Sequence, residues 1–344
     1  MCIRDRFLIE RLHVVAECWV RVCDEVLEKK VELQQTSTTR PTHSIVIIMV
    51  YHGATILETN ELFEGAAITK VRKMSQKLSD TILEFNGSDV RTVLQGQTTR
   101  NFADAAEGSV VEGAFCDLKG RVIADFCAVI ASDDCILLRT NAEVATSLSS
   151  HLQKYLMFSK TKLSTSNMSV WACELDAPSE TVVVTDDAVT VQRSAHLAEV
   201  WTRENSVPTS ALSPDVYRIR RLEQGDAKLT SETVGKYLPQ DLNYDINGRV
   251  DFNKGCYTGQ EIIARLHFRG EPKRRLRLLS LASNQDIAPG EKVLNAEGKS
   301  IGSVIEAVAS DGGTLCLCEV VIDVDNQAPH ILGQTAVTSE RQQF

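Results

Sequence analysis

The chain has 344 residues, a formal net charge of −9, 43% hydrophobic residues and 24% charged residues. This composition is typical of an ordinary folded protein of about two to three domains, and it excludes disordered, collagen-like and fibrous classes. The acidic balance excludes wholesale binding to nucleic acid, because attraction to phosphate requires a local surplus of Lys and Arg. The ten cysteines lack the spacing of a secreted disulfide scaffold, so we expect a reducing compartment, the cytoplasm.

The first part of the chain is predicted to be an extension. Apolar side chains recur at helical spacing over residues 1–36, and a polar, Thr-rich linker follows over residues 34–43. No apolar run reaches the roughly 20 residues that a membrane helix needs, so we expect no membrane partner. The opening residues 1–6 resemble read-through from gene calling, and the alternative is a genuine amphipathic extension. We therefore expect residues 1–77 to be artefactual or poorly ordered and assign no function to them.

From residue 78 to residue 275 the pattern predicts a mixed α+β region of two subdomains. The predicted strands span residues 81–85, 110–115, 121–130 and 135–140, with strand-like runs over residues 176–191. Helices are predicted from Ser88 as N-cap, over residues 142–155, and over residues 195–204. The turn Asp117-Leu-Lys-Gly120 connects two of the strands.

Residues 276–344 are predicted to form a third, all-β region. Short β segments span residues 276–281, 292–294, 300–309 and 314–322, and Gly-containing turns separate them. Such spacing is typical of a small antiparallel barrel or sandwich.

The stretch Lys254-Gly-Cys-Tyr-Thr-Gly-Gln-Glu261 is the most informative part of the sequence. Gly255 and Gly259 allow the backbone to turn sharply around Cys256, and a helix is predicted to begin near Glu261. The thiol would then lie near the positive end of a helix dipole, and Lys254 would add a second positive charge that favours the thiolate. These residues indicate a reactive or metal-ligating cysteine, and the alternative is an inert, buried thiol.

The same stretch resembles the signature of the YgfZ family. Further similarity lies in Arg221-Leu-Glu-Gln-Gly225, Tyr237-Leu-Pro-Gln-Asp-Leu-Asn243 and Leu94-Gln-Gly-Gln-Thr98, so the resemblance covers residues 78–335. It assigns the functional thiol to Cys256, and the other motif residues are Lys254, Gly255, Tyr257, Gly259, Gln260, Glu261 and Arg265.

The resemblance implies an α+β fold like that of the glycine-cleavage aminomethyltransferase (GcvT), a ring of subdomains with a C-terminal antiparallel β-barrel. It also implies a tetrahydrofolate-binding accessory protein that supports assembly or repair of iron-sulfur enzymes through Cys256. The implied clients include tRNA methylthiotransferases, and any iron-sulfur cluster would be held transiently, with a small thiol such as glutathione as a further partner. A true folate-dependent aminomethyl or methyl transferase, with Asp117 or Asp241 as general acid or base, is the alternative.

Two residues are expected to bind folate. Glu223 matches the acidic residue of the fold's Glu-x-Gly segment, and its carboxylate would accept hydrogen bonds from the donor edge of the pterin. Tyr217 matches a stacking aromatic, whose ring would pack on the pterin. The alternatives are a surface salt bridge for Glu223 and core packing for Tyr217. Asp80 stands where some relatives carry a second aromatic residue.

A local surplus of positive charge follows the cysteine motif. Seven Lys or Arg stand against two acids between Lys254 and Arg277. This run would attract an anion such as a polyglutamyl folate tail or RNA phosphate, so a tRNA-binding module is the second alternative function. The competing interpretation is a solvated charged surface.

Other candidate sites have simpler explanations. Cys316 and Cys318 alternate in a predicted strand and are expected to be core thiols rather than metal ligands. We predict no closed metal site, because neither CxxC pairs nor clusters of His are present. His267 would suggest a Cys–His hydrolase with Cys256, but no orienting Asn or Asp is identifiable.

Overall fold

The structure is a computed structural model that describes residues 76–175, 182–185, 187–203 and 207–339, together with the backbone of four strands near the N-terminus. The chain divides into a unit of residues 1–74 and a unit of residues 75–344. The predicted boundaries at 77/78 and 275/276 stay predictions.

The N-terminal unit contains a four-stranded antiparallel sheet in the order β1-β2-β3-β4. Its strands are β1 Glu32–Leu33, β2 Ile45–Val50, β3 Gly53–Glu58 and β4 Lys70–Lys73. The helix predicted over residues 1–36 lies mostly outside the described residues. The part that is described, β1, is a strand.

The second unit begins with a five-stranded antiparallel sheet in the order β6-β7-β8-β5-β9. Its strands are β5 Asp80–Asn86, β6 Val110–Cys116, β7 Val122–Ser132, β8 Cys135–Asn141 and β9 Lys162–Thr165, and its helices are α1 Val90–Gln97 and α2 Ala142–Leu156. The four predicted strands of this region are confirmed. The predicted cap is wrong, since α1 is preceded by Asp89 at the N-cap position and no side chain caps it.

A second, four-stranded sheet packs its apolar side chains against the first. Its order is β10-β13-β12-β11, with β10 Ser169–Glu174, β11 Val182–Val184, β12 Ala188–Ser194 and β13 Leu197–Thr202. The helix predicted over residues 195–204 is therefore wrong where the structure describes it. β13 pairs with β10 on one side and β12 on the other, and this long-range pairing overrides local helix propensity.

Two helices connect the sheets to the C-terminal region. They are α3 Pro214–Glu223 and α4 Gln260–Arg269. Ser213 caps α3 with its side chain and Pro214 occupies the first turn, where its missing N–H costs nothing.

The C-terminal region is a nearly closed, seven-stranded antiparallel sheet. Its order is β19-β18-β15-β16-β17-β14-β20. The strands are β14 Arg274–Leu281, β15 Lys292–Leu294, β16 Ser300–Ser310, β17 Gly313–Val321, β18 His330–Ile331, β19 Gln334–Thr335 and β20 Val337–Thr338, with a 3₁₀ turn at Val324–Gln327. The predicted antiparallel barrel is confirmed. Among the described residues, no helix has the length and apolarity to cross a membrane.

Candidate functional site

The motif cysteine lies on an exposed loop that enters α4. Cys256 and Gly255 are exposed, whereas the next residue, Tyr257, is buried in the core. Gly259 precedes the helix at a φ of 87°, a left-handed conformation that disfavours any residue with a Cβ. A Cβ there would lie 2.5 Å from the carbonyl oxygen of Asp117, so the loop rests directly on the 117–120 turn. The thiol is thus exposed to solvent on a loop that packs against the 117–120 turn.

Lys254 fixes this loop through hydrogen bonds to the end of α1. Its ammonium donates to the carbonyl oxygens of Gln95 at 2.7 Å, Thr98 at 2.7 Å and Arg100 at 2.5 Å. An ammonium has three donors, and these carbonyls use all of them. Burial lowers the pKa of Lys254 to about 8. The ammonium is therefore hydrogen-bonded to the end of α1, and its effect on the Cys256 thiol stays a prediction.

Thr258 attaches the other side of the loop to the same helix end. Its backbone N–H donates to the carbonyl of Gly96 at 3.1 Å, and its hydroxyl lies 3.2 Å from the side-chain oxygen of Gln97. Cys256 therefore lies between two attachment points, Lys254 and Thr258, on one rigid support.

Exposure separates Cys256 from the other cysteines that the structure describes. Cys116, Cys127, Cys173, Cys316 and Cys318 are buried, and Cys135 is half-buried. Burial raises the pKa of Cys127 to about 12, and it likewise raises the pKa of Cys316 to about 12, so these thiols stay protonated. The prediction that Cys316 and Cys318 are core thiols is confirmed, since both lie in the barrel core.

Much of the basic run after the motif serves internal contacts. Arg274 lies 3.1 Å from a carboxylate oxygen of Glu319, and Arg275 lies 2.5 Å from one of Asp245. Arg265 pairs with Glu261 one helical turn away on the exposed side of α4. The basic run therefore attracts an anion less strongly than its number of Lys and Arg residues suggests.

The two predicted folate residues lie on the same helix but in different surroundings. Tyr217 is 4% exposed, and its hydroxyl donates to Glu199 at 2.5 Å. It lines a cavity of about 320 Å³ together with Asp80 and Arg221. Glu223 is half-buried at the end of α3. The structure does not bring the two side chains together in one described cavity.

Through its hydrogen bond to Glu199, Tyr217 instead contacts a buried network of charges, which we call the central cluster. Its members lie on β6, β7, β8, β12, β13 and the segment after α3, and they are linked by ion pairs or by electrostatic interaction. They are Glu112, Asp125, Arg139, Arg193, Glu199, Asp226 and Arg249.

Two arginines hold the middle of the central cluster. Arg193 pairs with Glu112, with Asp226 at 3.0 Å and with Glu199 at 3.4 Å. Arg249 pairs with Asp226 at 2.6 Å and with Glu112 at 3.1 Å. The side chain of Glu112 is 28% exposed, so the cluster reaches the surface there. Because Glu112, Glu199 and Asp226 each pair with two arginines, these charges stabilise one another despite burial.

The carboxyls of the central cluster titrate in opposite directions. Burial raises the pKa of Glu199, but Arg139 and Arg193 outweigh it and hold that pKa at about 2. Burial likewise opposes ionisation of Asp226, and the neighbouring Arg249 and Arg193 bring its pKa well below the usual range. For Asp125, burial dominates and raises the pKa. Asp125 is therefore shifted toward the neutral form among ionised neighbours.

Three buried polar atoms of this region have no hydrogen-bond partner among the described residues. They are Oδ1 of Asp125, Nε of Arg193 and the hydroxyl of Tyr244, whose ring lies 5.2 Å from the guanidinium of Arg249. Buried polar groups are nearly always paired, so such atoms are candidates for contact with a ligand. Sequence reasoning did not single out these residues. Asp125 did carry a signal, since it interrupts the otherwise apolar run of β7.

Asp117 and Asp241 hold loops in place. Oδ1 of Asp117 accepts from the backbone N–H groups of Lys119 and Arg121, each at 2.8 Å, and thereby shapes its turn. Oδ2 of Asp241 accepts from the N–H of Leu238 at 2.8 Å. Both carboxylates are engaged by backbone, which gives each a structural role.

Metal-ligating side chains do not converge in the described ranges, where no group of three or more His, Cys, Asp or Glu is arranged to hold an ion. His267 stacks on Phe252 with ring centroids 3.6 Å apart. Its ring is therefore engaged with an aromatic partner on the exposed side of α4.

Comparison with known proteins supports the family resemblance and the fold. No protein-family model matches the chain. It is 26% identical over 284 residues to an uncharacterized protein of Haemophilus influenzae, covering 79% of this chain and 98% of the relative. It is 28% identical over 261 residues to the tRNA-modifying protein YgfZ of Aliivibrio fischeri (70% and 82%), and 25% identical over 276 residues to that of Colwellia psychrerythraea (72% and 84%).

The fold is that of a solved aminomethyltransferase. The glycine cleavage system aminomethyltransferase T of Bartonella henselae superposes with a TM-score of 0.59 at 15% identity, over 78% of this chain and 86% of that protein. The resemblance to the YgfZ family, with the aminomethyltransferase-like α+β fold that it implies, is therefore confirmed.

Proposed function

We propose that this protein is a folate-binding accessory factor that supports iron-sulfur enzymes, including enzymes that modify tRNA, through the thiol of Cys256. One observation carries the proposal: Cys256 is the exposed cysteine of the described residues, on a loop fixed by Lys254 and Thr258. A fixed, accessible sulfur suits transient contact with a partner. The relatives named for tRNA modification give the proposal its client class.

An iron-sulfur cluster would be cargo rather than a resident cofactor. Such clusters are usually held by about four ligands, mostly thiolates. The described residues offer Cys256 without companion ligands, so they do not fit a resident cluster. The remaining ligands would come from the client enzyme or from a small thiol such as glutathione.

The folate site is proposed at the central cluster, with Glu223, three residues before Asp226 of that cluster, as a second acceptor. The donor edge of a pterin requires carboxylate or carbonyl acceptors, and Asp125 carries a buried oxygen that lacks a donor. Glu112 brings the cluster to the surface and gives the ligand a polar entrance. Tyr217 would support the site indirectly, because Glu199 links its hydroxyl to Arg193. Tetrahydrofolate, when bound, would supply a one-carbon carrier at this position.

Complementation tests the role of the thiol. Cells that lack their own relative of this protein receive the wild-type chain, Cys256→Ala or the matched control Cys135→Ala, and methylthiolated tRNA is measured. We expect the wild-type and control chains to restore methylthiolation and Cys256→Ala to fail. Restoration by Cys256→Ala would contradict the proposal.

Calorimetric titration with tetrahydrofolate tests the ligand. Glu223→Gln should weaken binding by about tenfold, since a charged acceptor is lost, while the exposed control Glu232→Gln should bind like the wild type. Absence of binding by the wild-type chain would overturn the folate assignment. Formation of methylene-tetrahydrofolate from an aminomethylated carrier protein would instead support the aminomethyltransferase alternative.

A further inference from the structure

Three aromatic rings lie together on the exposed side of the Cys256 loop and α4. Phe252 packs against the core, and His267 stacks on it at 3.6 Å with an interplanar angle of 11°. Phe268 meets the His267 ring edge-on at 4.8 Å and is 67% exposed. We call these three residues the aromatic platform. Because the inner ring rests on the core and the outer ring is exposed, the stack is rigid and open to a further flat ring.

Positive charge adjoins the aromatic platform. Phe268 and Arg269 lie three and four residues after Arg265 and so are its neighbours on the surface of α4. Lys273 follows just beyond the helix. Arg269 and Lys273 have no ion pair with any residue of the described ranges, and the acid between them, Glu271, is exposed. The pairing of Arg265 with Glu261 is exposed and therefore weak.

A purely structural explanation accounts for only part of this arrangement. Cations near the end of a helix stabilise its dipole, which explains Arg269. The dipole gives no reason for a solvent-facing stack of His on Phe or for an exposed Phe268 beside it. Single-stranded nucleic acid is bound by this combination, in which aromatic faces stack on bases and nearby cations contact phosphates.

We propose that the aromatic platform binds single-stranded RNA, with a base on the outer face of His267 against Phe268 and phosphates at Arg265, Arg269 and Lys273. This deepens the proposed role in tRNA modification, on which it rests for its biological setting. Phe252 is four residues before Cys256 on the same loop, so RNA would be held beside the functional thiol.

Fluorescence anisotropy of a labelled single-stranded RNA of about twelve nucleotides tests the proposal with the full chain. The double variant His267→Ala/Phe268→Ala should weaken binding by about tenfold or more, because loss of one base stacked on an aromatic side chain lowers affinity by about that factor. Phe158→Ala is the matched control, since Phe158 is a 91% exposed phenylalanine that makes no ring contact with the platform. The control should bind like the wild type.

The salt dependence tests the phosphate contacts. Three contacts predict a slope of log K against log salt near −2, at about 0.7 per phosphate, and Arg269→Ala should reduce it by about 0.7. Lys299→Ala, an exposed lysine in a barrel turn, should leave the slope unchanged.

Absence of RNA binding at about 50 mM salt would overturn the proposal, and so would equal RNA affinity of the platform variant and the wild type. A polyglutamate peptide that binds as tightly as the RNA would also overturn it, because the partner would then be an acidic protein segment. Cys256→Ala should keep its RNA affinity while failing in complementation. The RNA proposal and the proposed function can therefore fail separately.

Discussion

Replacing Glu199 by Gln should destabilise the protein by about 3 kcal/mol at neutral pH. Glu199 is fully buried and accepts from Arg139 at 2.8 and 3.1 Å, from Trp201 at 3.1 Å and from Tyr217 at 2.5 Å. Its folded pKa of about 2 against an ordinary 4.5 corresponds to about 3 kcal/mol of stability. Removing one charge of a buried pair commonly costs a similar amount.

The pH dependence follows from the direction of this shift. Because the folded pKa is depressed, the stabilisation is complete above pH 4.5 and is lost as the pH falls toward 2. The assay is urea unfolding of the wild type, Glu199→Gln and the exposed control Glu297→Gln at a series of pH values. The difference between wild type and Glu199→Gln should shrink in acid. A difference below about 1 kcal/mol at pH 7, or one that does not change with pH, would refute the electrostatic account.

The loop around Cys256 gives three further predictions. Gly259→Ala should cost at least about 1 kcal/mol more than Gly248→Ala in urea unfolding, because both have positive φ but only Gly259 would place its Cβ against backbone; equal costs would contradict this packing. Lys254→Met should lower stability by about 2 kcal/mol and speed hydrogen exchange over residues 95–100, whereas the exposed control Lys273→Met should do neither. Under native conditions iodoacetamide should modify Cys256 before any other cysteine of residues 76–339, as peptide mass spectrometry would report; equally fast labelling of Cys127 would refute the burial argument.

Local sequence patterns predicted most of the fold because the residues of the buried strands also have high intrinsic strand propensity. β7 and β8 are apolar runs with high strand propensity, and α2 is an amphipathic helix with Asn141 as a side-chain cap. The sequence pattern failed at β13, where buried Glu199 looks like the polar side of a helix. Only pairing with β10 and β12, together with arginines from distant strands, makes a strand with a buried carboxylate stable there.

The candidate site likewise has features that the sequence predicted and features that it did not. The exposure of Cys256 and the turn at Gly259 follow from adjacent residues, so the motif predicted them. The carbonyls that hold Lys254 come from residues about 155 positions earlier, and sequence spacing cannot show such a contact. The central cluster was missed for this reason too, because its acids and arginines are brought together from six separate segments of the chain.

The most direct test of the central claim is the amount of methylthiolated nucleoside in tRNA from cells in which this chain replaces their own relative. Expression of the wild type and of Cys256→Ala must be matched, and urea unfolding must show equal stability. The account predicts that the wild-type chain restores the modification and that Cys256→Ala leaves it at the level of the deletion strain. Equal restoration by both chains would contradict the claim that Cys256 carries the function.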